Sequence, residues 1–120
     1  MLTRHPEQRD AIARLGLERV TMPDVAVDSR SLMWSADLVL GAGGTMTREA
    51  ALLGVPTLTL FAGREPSVDR ALMDEGRLAR LESVDQLVPL CRRDGAPDGL
   101  ACLQARGREL TEIFVDAVTG

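Results

Sequence analysis

A glycine-rich segment in the first half of the chain is the feature that most limits how the protein can fold. It occupies residues 41–44, reads Gly-Ala-Gly-Gly, and lies between the apolar run 38–40 and a helix-like run that starts at Thr45. A strand, a glycine turn and a helix start, in that order, form a corner where backbone N–H groups can approach a phosphate closely. The first helical N–H groups also point outward at the positive end of the helix dipole. The sequence therefore predicts an anion-binding corner for a ligand that carries phosphate.

Short apolar runs alternate with helix-like runs along the rest of the chain. The predicted strands are Met1–Thr3, Arg19–Met22, Asp37–Leu40, Val55–Phe61 and Leu78–Leu81. The predicted helices are Pro6–Leu15, Ser29–Ser35, Thr45–Leu53, Ser67–Glu75, Ser83–Cys91 and Asp98–Ala117, with a loose segment over residues 92–99. This alternation is typical of an α/β fold, and we expect a Rossmann-like three-layer arrangement with a parallel sheet and helices on both faces. We expect a single domain over residues 1–120.

Composition narrows the classes of function. The chain has 45% hydrophobic and 27% charged residues and a net charge of −4, which indicates a soluble globular protein and gives no reason to expect nucleic-acid binding. Its apolar runs are far shorter than the roughly 20 residues of a membrane span, and no signal-peptide pattern opens it, so we expect a cytoplasmic protein. All 14 basic residues are Arg. The absence of Lys excludes Schiff-base lysine chemistry and the lysine-containing phosphate loop.

Metal binding is not expected from the sequence. The two cysteines, Cys91 and Cys102, are too few for a zinc site, and His5, the single histidine, is distant in sequence. We interpret both cysteines as reduced thiols.

The glycine segment differs from the dinucleotide-binding fingerprint in three ways. Met46 stands where the third glycine belongs, the segment follows the third predicted strand rather than the first, and no acidic residue closes the next strand. A dehydrogenase is therefore disfavoured, whereas a purely structural glycine turn stays open as an alternative.

Other candidate residues lie in loops that follow the predicted strands, where ligands bind in parallel α/β sheets. Arg4 could neutralise a diphosphate, and His5 could act as an acid–base group or bond a sugar, unless both lie at a frayed terminus. Glu49, in the first turns of the predicted helix, could reach ribose hydroxyls or could only compensate the helix dipole. The loop after the fourth strand, with its acidic and Arg side chains, could bind sugar hydroxyls or could be a solvated surface; its candidates are Arg64, Glu65 and Asp69.

Residues 41–56 resemble the signature of domain-of-unknown-function family 354. The segment 68–70 (Val-Asp-Arg) and the pair Arg4 and Gln8 resemble that family too, so the resemblance covers about residues 1–82. The family is itself similar to the UDP-N-acetylglucosamine 2-epimerases and the peptidoglycan N-acetylglucosaminyltransferase. Both have the GT-B architecture, in which two Rossmann-like halves face each other across a cleft. The resemblance implies that this chain is the C-terminal, nucleotide-sugar-binding half of such an architecture.

The resemblance also implies roles for individual residues. Gly43, Gly44 and Thr45 would hold the diphosphate, Glu49 the ribose, and the segment Met22–Val27 would lie against the base. The full set of expected substrate-binding residues is Arg4, His5, Val25, Gly41, Ala42, Gly43, Gly44, Thr45, Met46, Glu49, Arg64, Glu65 and Asp69. The order Arg64-Glu65-Pro66 departs from the Glu-Arg-Pro segment of the epimerases, so transfer and epimerisation both stay open and no catalytic residue is assigned.

The resemblance also implies which ligand and which protein partner the chain would have. The expected ligand is a nucleotide sugar of the UDP-sugar class, bound as substrate with no separate cofactor. The acceptor side would come from an N-terminal Rossmann-like half, in the same chain or as a separate one, and the isolated chain would be inactive or nearly so. The alternative is a non-catalytic binding or assembly module that docks onto another protein through the cleft wall and the final helix.

Overall fold

The computed structural model describes residues 1–87 and 99–120. Its helices are α1 Pro6–Ala13, α2 Ser29–Ser35, α3 Thr45–Leu53, α4 Ser67–Asp74 and α5 Gly99–Thr119, with a 3-10 turn at Val84–Leu87. Its strands are β1 Val39–Gly41, β2 Thr57–Thr59 and β3 Ala79–Arg80. The order of these elements confirms a mixed α/β fold.

The three strands form one parallel sheet in the order β1-β2-β3. Gly41 pairs with Thr59, and Thr59 pairs with Arg80, so the carboxyl ends of all three strands lie side by side at one edge. The strand after each crossover helix adds next to the previous one, as expected for consecutive parallel units. The parallel sheet is confirmed, whereas the Rossmann-like half-domain with helices on both faces stays a prediction.

Helix α3 is the element around which the others pack. It contacts β1, β2, α2, α4 and α5, and its Ala50 and Ala51 are completely buried. Small side chains at these two positions allow the helix backbone to approach its neighbours closely. Gly54 ends the helix with a φ of 83°, the left-handed conformation that glycine favours, and Val55 then turns into the core. The predicted bounds of this helix are confirmed.

Two predicted strands are wrong. The structure has no strand at Met1–Thr3 or at Arg19–Met22. The two segments do meet, because the terminal amino group of Met1 donates to the carbonyl oxygen of Thr21 at 2.6 Å, but they form no ladder. Parallel strands are normally covered on both faces. Here Met1 and Leu2 are exposed, so the segment buries too little apolar surface to order a strand.

The first helix is held to the segment that follows it. The Arg9 guanidinium donates to the carbonyl oxygens of Pro23 (2.7 Å) and Met22 (3.1 Å) and forms an ion pair with Asp24. Within the predicted strand Arg19–Met22, the carbonyl oxygen of Met22 is therefore satisfied by an arginine side chain rather than by a neighbouring strand.

The predicted helix Ser29–Ser35 has the bounds that the sequence indicated. The remaining predicted elements have shifted bounds where they lie among the described residues. The helix predicted as Pro6–Leu15 ends at Ala13, and the strand predicted as Val55–Phe61 is limited to Thr57–Thr59. Only Val84–Leu87 of the predicted helix Ser83–Cys91 is described, as a 3-10 turn. The rest of that helix, Cys91, the loose segment up to residue 98 and the predicted start of the last helix at Asp98 lie outside the described residues.

Helix α5 is long and exposed along most of its length. Its first residue, Gly99, is buried against α3, but Leu110, Ile113, Phe114 and Val118 are each more than half exposed. Among the described residues, no helix is both long enough and apolar enough to cross a membrane.

Candidate functional site

The glycine corner follows β1 at the carboxyl edge of the sheet. Gly43 and Gly44 have φ angles of 90° and 92°, which are accessible to glycine and strained for other residues. Gly44 combines its φ with a ψ of −173°, a conformation that is essentially restricted to glycine. The chain can therefore turn from β1 into α3 within three residues, as the sequence predicted.

Gly44 is also the residue that precedes α3, and this leaves the start of the helix open. Glycine has no side chain with which to cap the first turn, and no side-chain cap is present. A β-carbon at Gly44 would meet no atom of the described residues within 4 Å, so the space beside it is open. In this part of the chain the N–H groups of the first turn have no capping side chain and could bind an anion.

Close packing fixes the other two glycines of the corner. A β-carbon at Gly41 would lie 2.0 Å from Thr47 Oγ1, so the Thr47 side chain occupies the space beside Gly41. A β-carbon at Gly43 would lie 3.4 Å from the ring of Phe61, and one at Gly63 would lie 2.6 Å from that ring. Phe61, in the loop that follows β2, therefore packs between Gly43 of the corner and Gly63 of its own loop.

The predicted residues around the corner differ in exposure. Ala42, Thr45 and Met46 are exposed, so they border the open space. Glu49 is half-buried, and in the part of the chain that the structure describes its carboxylate has no hydrogen bond or ion pair. Its carboxylate oxygens therefore remain available to hydroxyl donors.

Arg48 and Asp69 join the first turns of α3 and α4. Arg48 Nε donates to Asp69 Oδ1 at 2.5 Å, and the Asp69 side chain is only 5% exposed. The hydrogen bond that Arg48 donates to this carboxylate raises the pKa of Arg48. A buried carboxylate needs such a partner, because an unpaired charge away from water is costly. Asp69, predicted to contact substrate, is thus engaged by Arg48.

The loop after β2 is tied to β3. Arg80 donates to Glu65 Oε1 from Nη2 at 2.7 Å and from Nε at 3.2 Å. Glu65, another predicted substrate-binding residue, is therefore held by the neighbouring strand, whereas Arg64 beside it is exposed.

The structure does not join the N-terminal candidates to the glycine corner. The backbone N–H groups of Arg4 and His5 donate to Gln8 Oε1 at 3.0 and 3.3 Å, which closes the start of α1. Val25 is 76% exposed in an irregular segment. Within residues 1–87 and 99–120, no hydrogen bond links Arg4, His5 or Val25 to the corner, and their roles in binding stay predictions.

Sequence reasoning gave no role at the site to Thr47, Phe61 or Arg80. Thr47 lies within the family signature of residues 41–56, as does Arg48. Their position in the first turn of the predicted helix was the sequence signal that could have indicated a role at the site. The positions of Phe61 and Arg80 near the site depend on the sheet register, because each residue lies at or just beyond the carboxyl end of its strand. That register was not readable from the apolar runs.

A separate hollow of about 400 Å³ lies at the other end of α3, bordered by Gly54, Pro56, Gly76 and Arg77. It faces the negative end of that helix, which disfavours anions there. Among the described residues, no group of three or more His, Cys, Asp or Glu side chains is arranged to hold a metal ion.

Comparison with known proteins places the chain in a family. A model of the DUF354 family, described as proteins of unknown function, matches residues 1–119. The chain belongs to the DUF354 family. This match extends well beyond residues 1–82, over which the resemblance was noted. The resemblance to the family is therefore confirmed.

Comparison with a similar protein and with the solved structures gives less information about this chain. The chain is 33% identical over 67 residues to an uncharacterized protein of Methanocaldococcus jannaschii. The matched stretch covers 56% of this chain and 20% of that relative. No solved structure matches the chain.

Proposed function

We propose that this DUF354 chain binds a nucleotide sugar, expected to be a UDP-sugar, at the glycine corner. It would act as the donor-binding half of a GT-B-type glycosyltransferase or sugar epimerase. The observation that carries the proposal is the uncapped first turn of α3 beside the empty space at Gly44. A diphosphate there would accept hydrogen bonds from main-chain N–H groups at the positive end of the helix dipole.

The surroundings of the corner support a ligand larger than inorganic phosphate. Glu49, on the same helix, has a carboxylate without a partner among the described residues and could accept hydrogen bonds from ribose hydroxyls. Gly63 and Arg64 follow the adjacent strand at the same edge of the sheet, where a sugar would extend. The bordering residues therefore supply both polar and main-chain contacts.

The chemical contribution of this half would be electrostatic. In glycosyl transfer the bond between the sugar and the diphosphate breaks, and negative charge grows on the departing diphosphate. A helix N-terminus stabilises that charge as it develops, so a metal ion is not required for this step. The acceptor and any general base would come from a second half, so the isolated chain is expected to bind weakly and turn over little.

Titration of the chain with UDP, UDP-sugars and NAD by calorimetry tests the proposal. We expect UDP to bind with a dissociation constant of micromolar to millimolar order and to outcompete NAD. Gly44→Val should abolish binding, because its side chain would fill the open space and strain the turn. Glu49→Ala should weaken UDP more than inorganic pyrophosphate, which lacks the ribose.

Gly16→Val is the matched control for Gly44→Val. Gly16 also has a positive φ, 60°, with no atom within 4 Å of a β-carbon, but it follows α1. The Gly16→Val variant should have a lower melting temperature and an unchanged affinity for UDP. A folded wild-type chain that ignores UDP at millimolar concentration would contradict the proposed function.

A second candidate function, a binding or assembly module without nucleotide-sugar activity, is favoured by α5. Leu110, Ile113 and Phe114 expose large apolar side chains on this helix. Such a surface is typical of contact with another protein or domain. The same UDP titration separates the two candidates, because an assembly module would not bind UDP and would give no heat at any UDP concentration.

A further inference from the structure

A diphosphate bound at the corner, in the function proposed above on which this inference rests, brings negative charge that the protein has to balance. Main-chain N–H groups carry only partial charges, so a diphosphate calls for a cationic side chain as well. The sequence suggested Arg4 for this role, and it suggested Arg64 as a residue that binds sugar hydroxyls. Both side chains are exposed, and neither is held in place by a hydrogen bond among the residues that the structure describes.

Arg48 differs from both because its backbone lies at the start of α3, directly after the corner, and its side chain is held in place. Its backbone N–H donates to the carbonyl oxygen of Gly44 at 3.3 Å, and its side chain is held by Asp69 through Nε. The bond to Asp69 uses one edge of the guanidinium group. The terminal nitrogens Nη1 and Nη2 have no partner in the described part of the chain, and 31% of the side chain is exposed.

Thr47 supplies an independent indication of a ligand at the same place. Its side chain is 97% buried (3% exposed), yet its hydroxyl has no hydrogen-bond partner within the described ranges. The hydroxyl oxygen lies against Gly41, the first residue of the corner. A buried polar group without a partner is costly, and an anion at the corner that accepts a hydrogen bond from this hydroxyl would remove that cost.

We propose that Arg48 is the cationic ligand of the diphosphate and that Asp69 is a positioning residue that holds Arg48 through Nε. The free Nη1 and Nη2 edge of the guanidinium would bind two phosphate oxygens in the fork geometry that arginine offers. Asp69 itself does not touch the ligand. Its buried carboxylate fixes the guanidinium before the ligand arrives, which reduces the side-chain entropy lost on binding.

The test measures binding of inorganic pyrophosphate and UDP to the 120-residue chain by calorimetry at several salt concentrations. Arg48→Gln should weaken both ligands at least tenfold and flatten the salt dependence of pyrophosphate binding. Arg77→Gln is the matched control: Arg77 pairs with Glu75 and has a side chain of similar exposure, 28%, beyond the end of α4. It should leave both affinities unchanged.

Asp69→Asn separates positioning from simple electrostatics. If Asp69 were only a nearby negative charge, its removal would strengthen anion binding. If it positions Arg48, the variant should bind pyrophosphate several-fold more weakly despite its more favourable charge. If Asp69→Asn fails to fold, the pyrophosphate affinity of Arg48→Lys gives a second test. This variant keeps the charge without the fork, and we expect its affinity to fall between those of wild type and Arg48→Gln.

The outcomes distinguish this inference from the function on which it rests. Pyrophosphate and UDP binding that survives in folded Arg48→Gln would overturn the role of Arg48 and leave the proposed function standing. Arg48-dependent pyrophosphate binding without any added affinity for UDP would support the role of Arg48 and overturn the nucleotide-sugar proposal. A wild-type chain that binds neither ligand would overturn both.

Discussion

Single polar side chains decide where the helices of this protein begin. Asp28 precedes α2, and its two carboxylate oxygens accept hydrogen bonds from the Ser31 hydroxyl at 2.6 Å and the Arg30 N–H at 3.1 Å. The bond from Ser31, and after it the bond from Arg30, lower the pKa of Asp28 below its ordinary value of 3.8. Both bonds favour the ionised form, so the start of α2 depends on the protonation of one carboxyl group.

This dependence predicts how stability changes with pH. Because the pKa is lower in the folded chain, the stabilisation from Asp28 is fully present above the unfolded value, near 3.8, and is lost as the pH falls through the folded pKa. Asp28→Asn keeps a capping side chain but cannot titrate. Urea unfolding from pH 6 to pH 2 should show wild type losing stability relative to Asp28→Asn only below about pH 4. A constant difference over the whole range would contradict this role.

At the scale of elements, two glycines in α5 face different surroundings. A β-carbon at Gly99 would lie 2.0 Å from the carbonyl oxygen of Leu52 and 2.6 Å from the N atom of Gly54. These are backbone atoms, which cannot rotate away. A β-carbon at Gly107 would meet no atom within 4 Å. The first turn of α5 therefore depends on glycine for its contact with α3, whereas Gly107 only loosens the helix.

Alanine substitutions at these two positions should have opposite effects. Gly99→Ala should destabilise the chain by about 1–3 kcal/mol, because the methyl group separates α5 from α3. Gly107→Ala, the matched control, should stabilise the helix by about 0.5–1 kcal/mol, because glycine is a poor helix former. Chemical unfolding followed by circular dichroism measures both. Equal effects of the two substitutions would show that α5 does not pack on α3 through Gly99.

Over the whole molecule, packing is uneven. The buried apolar residues, among them Ala51, Leu72 and Leu78, gather around α3 and the sheet, whereas α5 continues past them with Leu110 and Phe114 exposed. Helices gain most of their stability from tertiary packing rather than from propensity. The outer part of α5 should therefore open more easily than α3.

Hydrogen exchange checks this difference. We expect the amide hydrogens of residues 110–119 to exchange at least 100-fold faster than those of Ala50 and Ala51, because local opening of the outer helix exposes no core. Equal protection of the two helices in the 120-residue chain would mean that another surface covers α5. A dependence of that protection on protein concentration would identify the cover as a second copy.

Local sequence patterns predicted the parts of this fold that depend on local chemistry. The glycine turn, the bounds of α3 and the strand positions near residues 39, 58 and 79 follow from apolar runs that glycine or proline interrupts. The strands expected at Met1–Thr3 and Arg19–Met22 are absent, because strand formation depends on a partner and a covered face rather than on propensity. The sequence alone shows neither the partner strand nor whether the face is covered.

The candidate site was predictable to a similar extent. The spacing of residues 41–49 indicated an anion-binding helix start, and the structure places these residues at the carboxyl edge of the sheet. The pairing of Arg48 with Asp69 was not predictable, because the two residues belong to different helices whose relative placement follows from the sheet register. The same holds for Arg80 and Glu65.

The position of Phe61 has an evolutionary consequence. A β-carbon at residue 43 would touch its ring at 3.4 Å, and one at residue 63 would lie 2.6 Å from the tip of the ring. We therefore expect family members with a bulkier residue at either position to carry a smaller one at 61. In an alignment of relatives, these three sites should change together, even though they are up to 20 positions apart in the chain.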